Sequence, residues 1–262
     1  MAARSGLGQA ASVNKSGHDL RPLRGTEAHV WWAHRRDASP QLEKLLDEVE
    51  HERLLGYHRI DDRDRFFVGC ALAKLVLAAY LGQQANTIRL SRTCPDCGRP
   101  HGKPSVAAPE GAGVEFSISH SGDPVVAAFA VEAPVGIDVE RLDNSLQVDQ
   151  LTRLVLSDSE AQAFAARPPE ERQRDFFTWW TRKEAVAKAA GTGLRLPLPL
   201  VVVTQPVDSP RLLAWPHHLA PEEVTLFDLG ERDGHIASLA VLGTCESLFE
   251  FDGSALIAQG GV

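Results

Sequence analysis

The feature that most constrains the fold is the run FFVGCALAKLVLAAYL at positions 66–81. At helical spacing this run is apolar on almost every side, and such a helix has to be buried on nearly all of them. Lys74 interrupts the run, which is also shorter than the about 20 apolar residues that a membrane span requires. Because Gly82 follows directly, the sequence predicts a buried core helix over residues 62–81 of a globular protein.

Composition supports a globular protein and excludes several classes. The 262 residues suffice for one large or two modest domains, and 44% hydrophobic with 24% charged residues is close to the globular average. Acidic residues outnumber basic ones by 35 to 27, and the net charge of −8 argues against broad nucleic-acid binding. Four cysteines are too few for a disulfide scaffold, which predicts a cytoplasmic protein.

The predicted elements occur in the same order twice along the chain. Each half contains a strand, helices, a second strand and a hairpin: 28–32, 40–55, 62–81, 88–90 and 114–131, then 135–139, 157–166, 170–190, 200–204 and 224–242. We therefore predict an α+β fold of two similar α+β subdomains packed as a pseudo-twofold tandem, at residues 28–132 and 133–245. Residues 1–27 are predicted to be a disordered head and residues 246–262 a loose C-terminal tail.

Two carboxylates stand two positions apart in segment 136–140 (GIDVE). Side chains alternate along a strand, so Asp138 and Glu140 share one face while Ile137 and Val139 enter the core. In a cleft such a pair favours a cation, and Mg²⁺ binds one or two carboxylates together with substrate phosphates. The alternative is that both carboxylates face solvent at the edge of a sheet.

An aromatic ring, a carboxylate and an amine recur at helical spacing in the second long helix. Trp180, Glu184 and Lys188 are four residues apart and therefore lie on one face. The ring suits packing, the carboxylate suits a metal ion, and the amine suits a phosphate. The alternative is an exposed Glu–Lys pair beside a core tryptophan, which stabilises a helix by only about 0.2–0.5 kcal/mol.

Polar groups for anion binding lie in segment 117–122 (SISHSG), at the end of a strand. Ser119 and His120 are its candidates, because hydroxyls, an imidazole and turn amides suit an anion. A nucleophilic serine is the competing hypothesis, but the glycine-flanked elbow of a hydrolase is missing. A turn with a surface histidine is the alternative without function.

Three separated cations suit a phosphate cradle. Lys103 is presented by the loop sequence GKP, Arg92 precedes the cysteines, and Arg53 lies in the first helix. Taken singly, each is equally compatible with a solvated surface charge.

Four segments together resemble the motif series of the surfactin-type 4′-phosphopantetheinyl transferase family: RTCPDCGRPHGKP, FSISHS, GIDVE and WWTRKEAVAKAAGTGL. GIDVE followed about forty residues later by WTRKEAVAK is a specific joint signal, whereas either motif alone is weak. The resemblance covers about residues 28–243. It implies the family's fold, two similar α+β halves with the active site between them, in agreement with the repeated order of elements.

The resemblance implies roles for individual residues. Asp138, Glu140 and Glu184 correspond to the magnesium ligands, which places the metal site in the C-terminal subdomain. Glu184, Asp138 and Lys188 are the implied catalytic set, and Lys183 is interpreted as structural. The residues implied to contact coenzyme A are Ser119, His120 and Lys188 at its phosphates, and Arg53, Arg92 and Lys103 around its adenosine 3′-phosphate and adenine.

The implied reaction transfers the 4′-phosphopantetheine arm of coenzyme A to a serine of an apo acyl or peptidyl carrier protein. Mg²⁺ is the implied cofactor, and adenosine 3′,5′-bisphosphate leaves. Coenzyme A and the carrier are the predicted partners of a monomer that binds neither nucleic acid nor membrane. The pathway stays open between fatty-acid, polyketide, non-ribosomal peptide and amino-adipate metabolism.

Two rival hypotheses remain open from the sequence. One is a non-catalytic binding module built on a zinc loop, with Cys94, Cys97 and His101 as ligands, one fewer than a structural zinc site uses. The other is a magnesium-dependent phosphotransferase acting on another nucleotide.

Overall fold

The structure is a computed structural model, and it describes residues 12–15, 21–94, 97–100, 102–143 and 145–260. The elements of this part are, in chain order, β1 Ser12–Lys15, β2 Glu27–His34, α1 Glu48–Leu55, α2 Ile60–Leu81, β3 Arg89–Ser91, β4 Ser105–Ala108, β5 Val114–His120, β6 Pro124–Val131, β7 Val135–Arg141, α3 Val148–Val155, α4 Asp158–Ala165, α5 Pro169–Ala189, β8 Val202–Val203, β9 Leu212–Ala214, β10 Val224–Arg232, β11 His235–Leu242, β12 Ser247–Asp252 and α6 Gly253–Gly260. None of these helices has the length and apolar character needed to cross a bilayer.

The predicted core helix is α2, and it packs on a five-stranded sheet of order β1-β12-β2-β6-β5. Residues 66–78 of this helix are all buried. The sheet covers one side of the helix, and α1, α6 and the 3₁₀ turn at residues 35–37 cover others. A helix without a polar face can be stable in water only when it is enclosed in this way.

The second half repeats this arrangement, with α5 packed on the three-stranded sheet β10-β11-β7. The order β7-β11-β10 matches the order β2-β6-β5 of the first half. A separate apolar core fills the space between the two sheets, so the layers run helix, sheet, sheet, helix. The predicted α+β fold of two tandem halves is confirmed.

Each long helix also buries one lysine in the same way. Lys74 of α2 donates to the Glu50 carboxylate, and Lys183 of α5 donates to the Glu160 carboxylate at 2.5 Å. Both glutamates occupy the third position of a capping box at the start of the helix before, α1 or α4. A buried ion pair is costly to break, so each lysine holds a short helix against a long one. Lys183 therefore has a packing contact and does not extend into a cleft.

The single helix predicted over residues 40–55 is wrong in its first part. Residues 40–45 form a 3₁₀ turn, and α1 begins only after Asp47. The Asp47 carboxylate accepts from the backbone N–H of Glu50, while the Glu50 carboxylate accepts from the N–H of Asp47. This capping box starts a new helix and interrupts the periodic pattern that precedes it.

The predicted loose tail, residues 246–262, is wrong over residues 246–260, and residues 261–262 lie outside the described residues. β12 runs parallel to β2 inside the five-stranded sheet, and α6 packs on α2. The buried Glu250 of β12 accepts hydrogen bonds from Trp32 and from Arg232 of the other half, at 2.8 and 3.0 Å. β12 covers the edge of β2, which would otherwise leave unpaired backbone groups.

The predicted disordered head, residues 1–27, is also wrong where the structure describes it. Ser12–Lys15 forms β1, parallel to β12, and β2 already begins at Glu27. Residues 1–11 and 16–20 of this prediction lie outside the described residues.

Gly136 marks the closest approach between β7 and α5. A Cβ at this position would lie 2.1 Å from the carbonyl oxygen of Ala185 and 2.3 Å from the nitrogen of Ala189. Both are helix backbone atoms, which cannot move aside as a flexible side chain could. The glycine that opens GIDVE is therefore required by packing, since it lets α5 lie directly on the strand that carries the two carboxylates.

We expect Gly136→Ala to lower the free energy of unfolding by about 1–3 kcal/mol, because α5 has to shift to admit the methyl group. Urea unfolding followed by circular dichroism measures the change. Gly25→Ala is the matched control, since nothing lies within 4 Å of a Cβ at Gly25. Equal unfolding midpoints for the two variants would show that the predicted clash is not real.

Candidate active site

The two halves meet along β5 and β7, where serine hydroxyls replace strand pairing. Three alternate serines accept hydrogen bonds from backbone N–H groups of β7: Ser117 from Ile137 at 3.2 Å, Ser119 from Val139 at 3.3 Å and Ser121 from Arg141 at 3.1 Å. Buried N–H groups need partners, and these hydroxyls supply them to the free edge of β7. The side chains stand between the strands, and the candidate site lies at this junction.

Asp138 is the most deeply buried acid of the site. Its Oδ1 atom accepts from the Ser119 hydroxyl at 3.0 Å and from Lys188 Nζ at 2.6 Å. Its Oδ2 atom is buried and has no hydrogen-bond partner among the described residues. Burial raises the pKa of Asp138, and Lys188 opposes this effect. A buried oxygen without a partner is costly, so it marks a place for a ligand.

Two further acids share the cleft with Asp138. Glu140 accepts from the Ser121 hydroxyl at 2.9 Å, and burial followed by the charge of Asp138 raises its pKa to about 7. Burial and then Asp138 also raise the pKa of Glu184. The charge of Asp138 makes ionisation of both glutamates harder, as expected for carboxylates that share one site.

The stripe predicted on the second long helix faces this cleft. Trp180, Glu184 and Lys188 are half-buried, whereas the α5 residues between them are buried. They line a cavity of about 250 Å³ together with residues of β5 and β7: Ile118, Ser119, His120, Asp138 and Glu140. The structure therefore brings the two predicted carboxylate motifs and the serine–histidine segment to one place.

The acids fit a divalent cation bound through few protein ligands. In the described part of the chain, no three His, Cys, Asp or Glu side chains form a ready ligand set. Mg²⁺ needs fewer, since waters and substrate phosphates complete its coordination beside one or two carboxylates. The unpartnered Oδ2 of Asp138 and the raised pKa values of Asp138, Glu140 and Glu184 indicate that a cation here would be favourable.

His120 lies at the end of β5, beside the acids. Desolvation, followed by the charges of Arg65 and Lys188, lowers the pKa of His120 to about 4. Arg65, which the sequence motifs do not single out, donates to the Gly122 carbonyl oxygen at 2.7 Å. In the sequence, Arg65 belongs to the polar segment DDRDR at the start of α2, directly before the apolar run.

The predicted basic residues lie farther from the acids. Arg53 is exposed and donates to the Pro100 carbonyl at 3.1 Å. Arg92 is half-buried near Arg53, and burial together with Arg53 lowers its pKa. Lys103 donates to Glu115 and to the Ala189 carbonyl at the end of α5, both at 3.1 Å. These three cations do not line the cavity around the acids.

Ser119 lines the cavity, but its hydroxyl is already engaged. It donates to Asp138 and accepts from the Val139 N–H and from Lys188 Nζ, the last at 2.9 Å. One proton and two lone pairs are all that a hydroxyl offers. A phosphate contact by Ser119 would have to displace one of these bonds.

A wider cleft of about 580 Å³ continues on the other side of Glu140. Its wall includes four cationic, four acidic and two apolar side chains: Arg35, Arg59, Arg65 and Arg141, then Asp61, Asp123, Glu140 and Asp143, and Leu146 with Phe177. The turn after β5 borders this cleft at Gly122, which has φ +61°. A Cβ at this position would lie 2.8 Å from His235 Nε2.

The zinc hypothesis stays a prediction. Cys94 is buried and Cys97 is exposed, and His101 lies outside the described residues.

Comparisons with known proteins agree with the tandem fold. The model of the 4′-phosphopantetheinyl transferase superfamily matches residues 134–240, and that of the 4′-phosphopantetheinyl transferase N-terminal region matches residues 30–132. The two matches adjoin at the turn between β6 and β7. They define a transferase built from two consecutive halves.

Similar whole proteins carry the same description. 4′-Phosphopantetheinyl transferase psf-1 of Bacillus pumilus is 34% identical over 197 residues, which cover 74% of this chain and 80% of that protein. 4′-Phosphopantetheinyl transferase HetI of Nostoc sp. is 26% identical over 227 residues, covering 84% and 90%. The chain belongs to the 4′-phosphopantetheinyl transferase superfamily, as the resemblance of its motifs predicted.

Among solved structures, a holo-(acyl-carrier-protein) synthase from Bacillus anthracis in complex with CoA (3′,5′-ADP) is similar to 42% of this chain. It aligns over 96% of its own length with a TM-score of 0.35 and 22% identity.

We expect Mg²⁺ binding to release a proton below about pH 7, because Glu140 with a pKa of about 7 is then largely protonated in the metal-free protein. For the same reason the affinity for Mg²⁺ should fall as the pH drops from 8 to 6. Calorimetry at pH 6.5 in two buffers of different ionisation enthalpy counts the protons.

Glu140→Gln should reduce this proton release, whereas Asp149→Asn, which changes an exposed carboxylate of α3, should leave it unchanged. If wild type and Glu140→Gln release equal numbers of protons, Glu140 does not titrate with the metal.

Proposed function

We propose that this protein transfers the 4′-phosphopantetheine arm of coenzyme A to a serine hydroxyl of an apo carrier protein, in a magnesium-dependent reaction that releases adenosine 3′,5′-bisphosphate. The observation that carries the proposal is the meeting of the β7 acids with Glu184, Lys188 and His120 in one cleft between the halves. Membership of the 4′-phosphopantetheinyl transferase superfamily supports it.

Asp138, Glu140 and Glu184 are the residues that would hold Mg²⁺. When bound, the ion would neutralise the pyrophosphate of coenzyme A and stabilise the leaving group. Lys188 Nζ uses two of its three donors on Ser119 and Asp138, and its side chain is 28% exposed, so the third donor can reach a pyrophosphate oxygen. His120 lies beside it as a second phosphate contact.

Glu184 is the proposed proton acceptor. Glu184 lines the cleft beside Asp138 and Lys188, where a carboxylate can take the serine proton. The serine oxygen forms a bond to the β-phosphorus, the bond from that phosphorus to the bridging oxygen breaks, and the serine proton passes to Glu184 directly or through a water molecule. Adenosine 3′,5′-bisphosphate takes the bonding electron pair.

The adenosine 3′-phosphate is proposed to bind at Arg53 and Arg92. Lys103, whose Nζ contacts the last carbonyl of α5, is proposed as the third cation of this cradle. Arg53 and Arg92 are like charges close enough for one to lower the pKa of the other, and an anion between them would remove this repulsion. Desolvation aside, Arg92 lies near enough to His120 for its charge to lower the pKa of the imidazole, and neither Arg53 nor Arg92 lines the wider cleft.

The carrier protein is proposed to dock over the wider cleft. Carrier proteins of this kind are acidic, so a chain of net charge −8 has to offer a local cationic surface. Arg59 and Arg141 are exposed at this position, each within 4.0 Å of an aspartate, and Leu146 adds an apolar contact. Cytoplasmic location and a monomeric state remain predictions.

The deciding experiment incubates the protein with coenzyme A, Mg²⁺ and an apo carrier protein. We expect the intact mass of the carrier to rise by one phosphopantetheine arm, and we expect no gain when the acceptor serine of the carrier is alanine. Asp138→Ala and Glu184→Ala should abolish the transfer without unfolding the protein, while Asp149→Asn keeps it. Absence of a mass gain with the wild type would refute the proposed function.

The phosphate cradle is tested by comparing coenzyme A with dephospho-coenzyme A. Loss of a charge-assisted hydrogen bond costs about 1.5–3 kcal/mol, so Arg53→Ala, Arg92→Ala or Lys103→Ala should each raise KM for coenzyme A by roughly ten- to a hundredfold. The defect should largely disappear with dephospho-coenzyme A for whichever residue contacts the 3′-phosphate. Lys188→Ala should impair both substrates equally, because both retain the pyrophosphate.

Arg89→Ala is the control for this series, since Arg89 is an exposed cation on the neighbouring strand β3 and bonds backbone carbonyls. If all three cradle variants behave like Arg89→Ala, the three cations are surface charges.

A further inference from the structure

The serines at the junction of the halves make two kinds of hydrogen bond. All three accept from the edge of β7, but only two also donate to an acid: Ser119 to Asp138 Oδ1 at 3.0 Å and Ser121 to Glu140 Oε2 at 2.9 Å. Within the described residues, Ser117 makes only its bond to the N–H of Ile137. Comparison of the three serines therefore distinguishes two effects. All three contribute to docking of the halves, but only Ser119 and Ser121 contact an acid.

The strand geometry explains this pattern. Ser117 and Ser119 of β5 and Ser121 just after it alternate along the chain and face β7. Each of these hydroxyls accepts from the backbone N–H of the residue twenty positions later in the chain. The carboxylate that it contacts belongs to the residue one position earlier, which for Ser117 is Gly136 and has no side chain. A hydroxyl fixed by the edge of β7 therefore aims its only proton at the neighbouring acid.

The bond to serine occupies one oxygen of each acid. Asp138 Oδ1 is held by Ser119 and Lys188, and its partner Oδ2 is the buried oxygen that lacks a protein partner. Glu140 is held through Oε2 in the same manner. An acid held through one oxygen cannot rotate freely, so the direction of its other oxygen is set before any cation arrives.

We propose that Ser119 and Ser121 are positioning residues of the metal site, and that Ser117 contributes only to docking of the two halves. The acids all belong to the second half of the chain, whereas the hydroxyls that orient two of them belong to the first. Docking of the halves and arrangement of the metal site are thus one event. The proposal rests on the proposed function only for its link to catalysis, since metal binding tests it separately.

The experiment compares Ser117→Ala, Ser119→Ala and Ser121→Ala in the full chain. Ser117→Ala loses one hydrogen bond, Ser121→Ala loses two and Ser119→Ala loses three, so all three should lower the urea midpoint and Ser119→Ala should lower it most. Calorimetric titration with Mn²⁺ or Mg²⁺ alone, without coenzyme A, should separate them. Loss of an outer partner of a metal ligand typically costs about 10- to 100-fold in affinity, which we expect for Ser119→Ala and Ser121→Ala but not for Ser117→Ala.

Two readouts distinguish positioning from a general structural role. Ser121→Thr keeps a hydroxyl at the half-buried position and should restore metal affinity to within a few-fold of the wild type. In the transfer assay, Ser121→Ala should need more Mg²⁺ for half-maximal rate and recover most of kcat at saturating Mg²⁺. Should the buried Ser119→Ala not fold, Ser121→Ala and its threonine rescue decide the question alone.

Equal metal affinities for all three alanine variants would overturn the proposal, whether all match the wild type or all are equally weakened. If the metal affinities separate as expected but the wild type transfers nothing to a carrier protein, the positioning role stands and the proposed function fails.

Discussion

The free edge of β7 is the constraint on which the other features of the site depend. A strand at the centre of a protein cannot leave its N–H groups without partners, and a direct backbone pairing with β5 would close the junction. Serine hydroxyls satisfy the edge from a greater distance, and so the halves join while a cleft stays open beside them. Two of the acids that line this cleft, Asp138 and Glu140, are in turn contacted by two of these hydroxyls.

The position of α5 is fixed by contacts that lie outside the cleft. Gly136 lets the helix rest on β7, and the buried Lys183 ties it to α4 through Glu160. Because the residues around Glu184 and Lys188 are buried, these two side chains are the part of the helix that faces the acids of β7. These contacts hold α5 in place, and the side chains that face the acids lie on one stripe of the helix.

The two halves share a scaffold but differ where the cleft lies. Counted from the equivalent buried lysines Lys74 and Lys183, Leu75 of α2 corresponds to Glu184 of α5. Leu75 is buried against Gly260 of α6, and β12 pairs with the free edge of β2. The C-terminal segment thus fills, in the first half, the place that is an open cleft in the second.

Local patterns in the sequence determined the long helices, the hairpins, the repeated order of elements and the faces on which Asp138, Glu140, Glu184 and Lys188 lie. Periodicity and alternation depend on near neighbours, so a single chain reveals them. Only the tertiary structure decided that β12 pairs with a strand more than two hundred residues away, since no local signal encodes that partner. It also decided that the buried Ser119 hydroxyl donates to Asp138, and that burial raises the pKa of Glu140 to about 7. Desolvation and hydrogen bonding between distant segments arise only once both halves have docked, and these two effects turn scattered polar residues into a site.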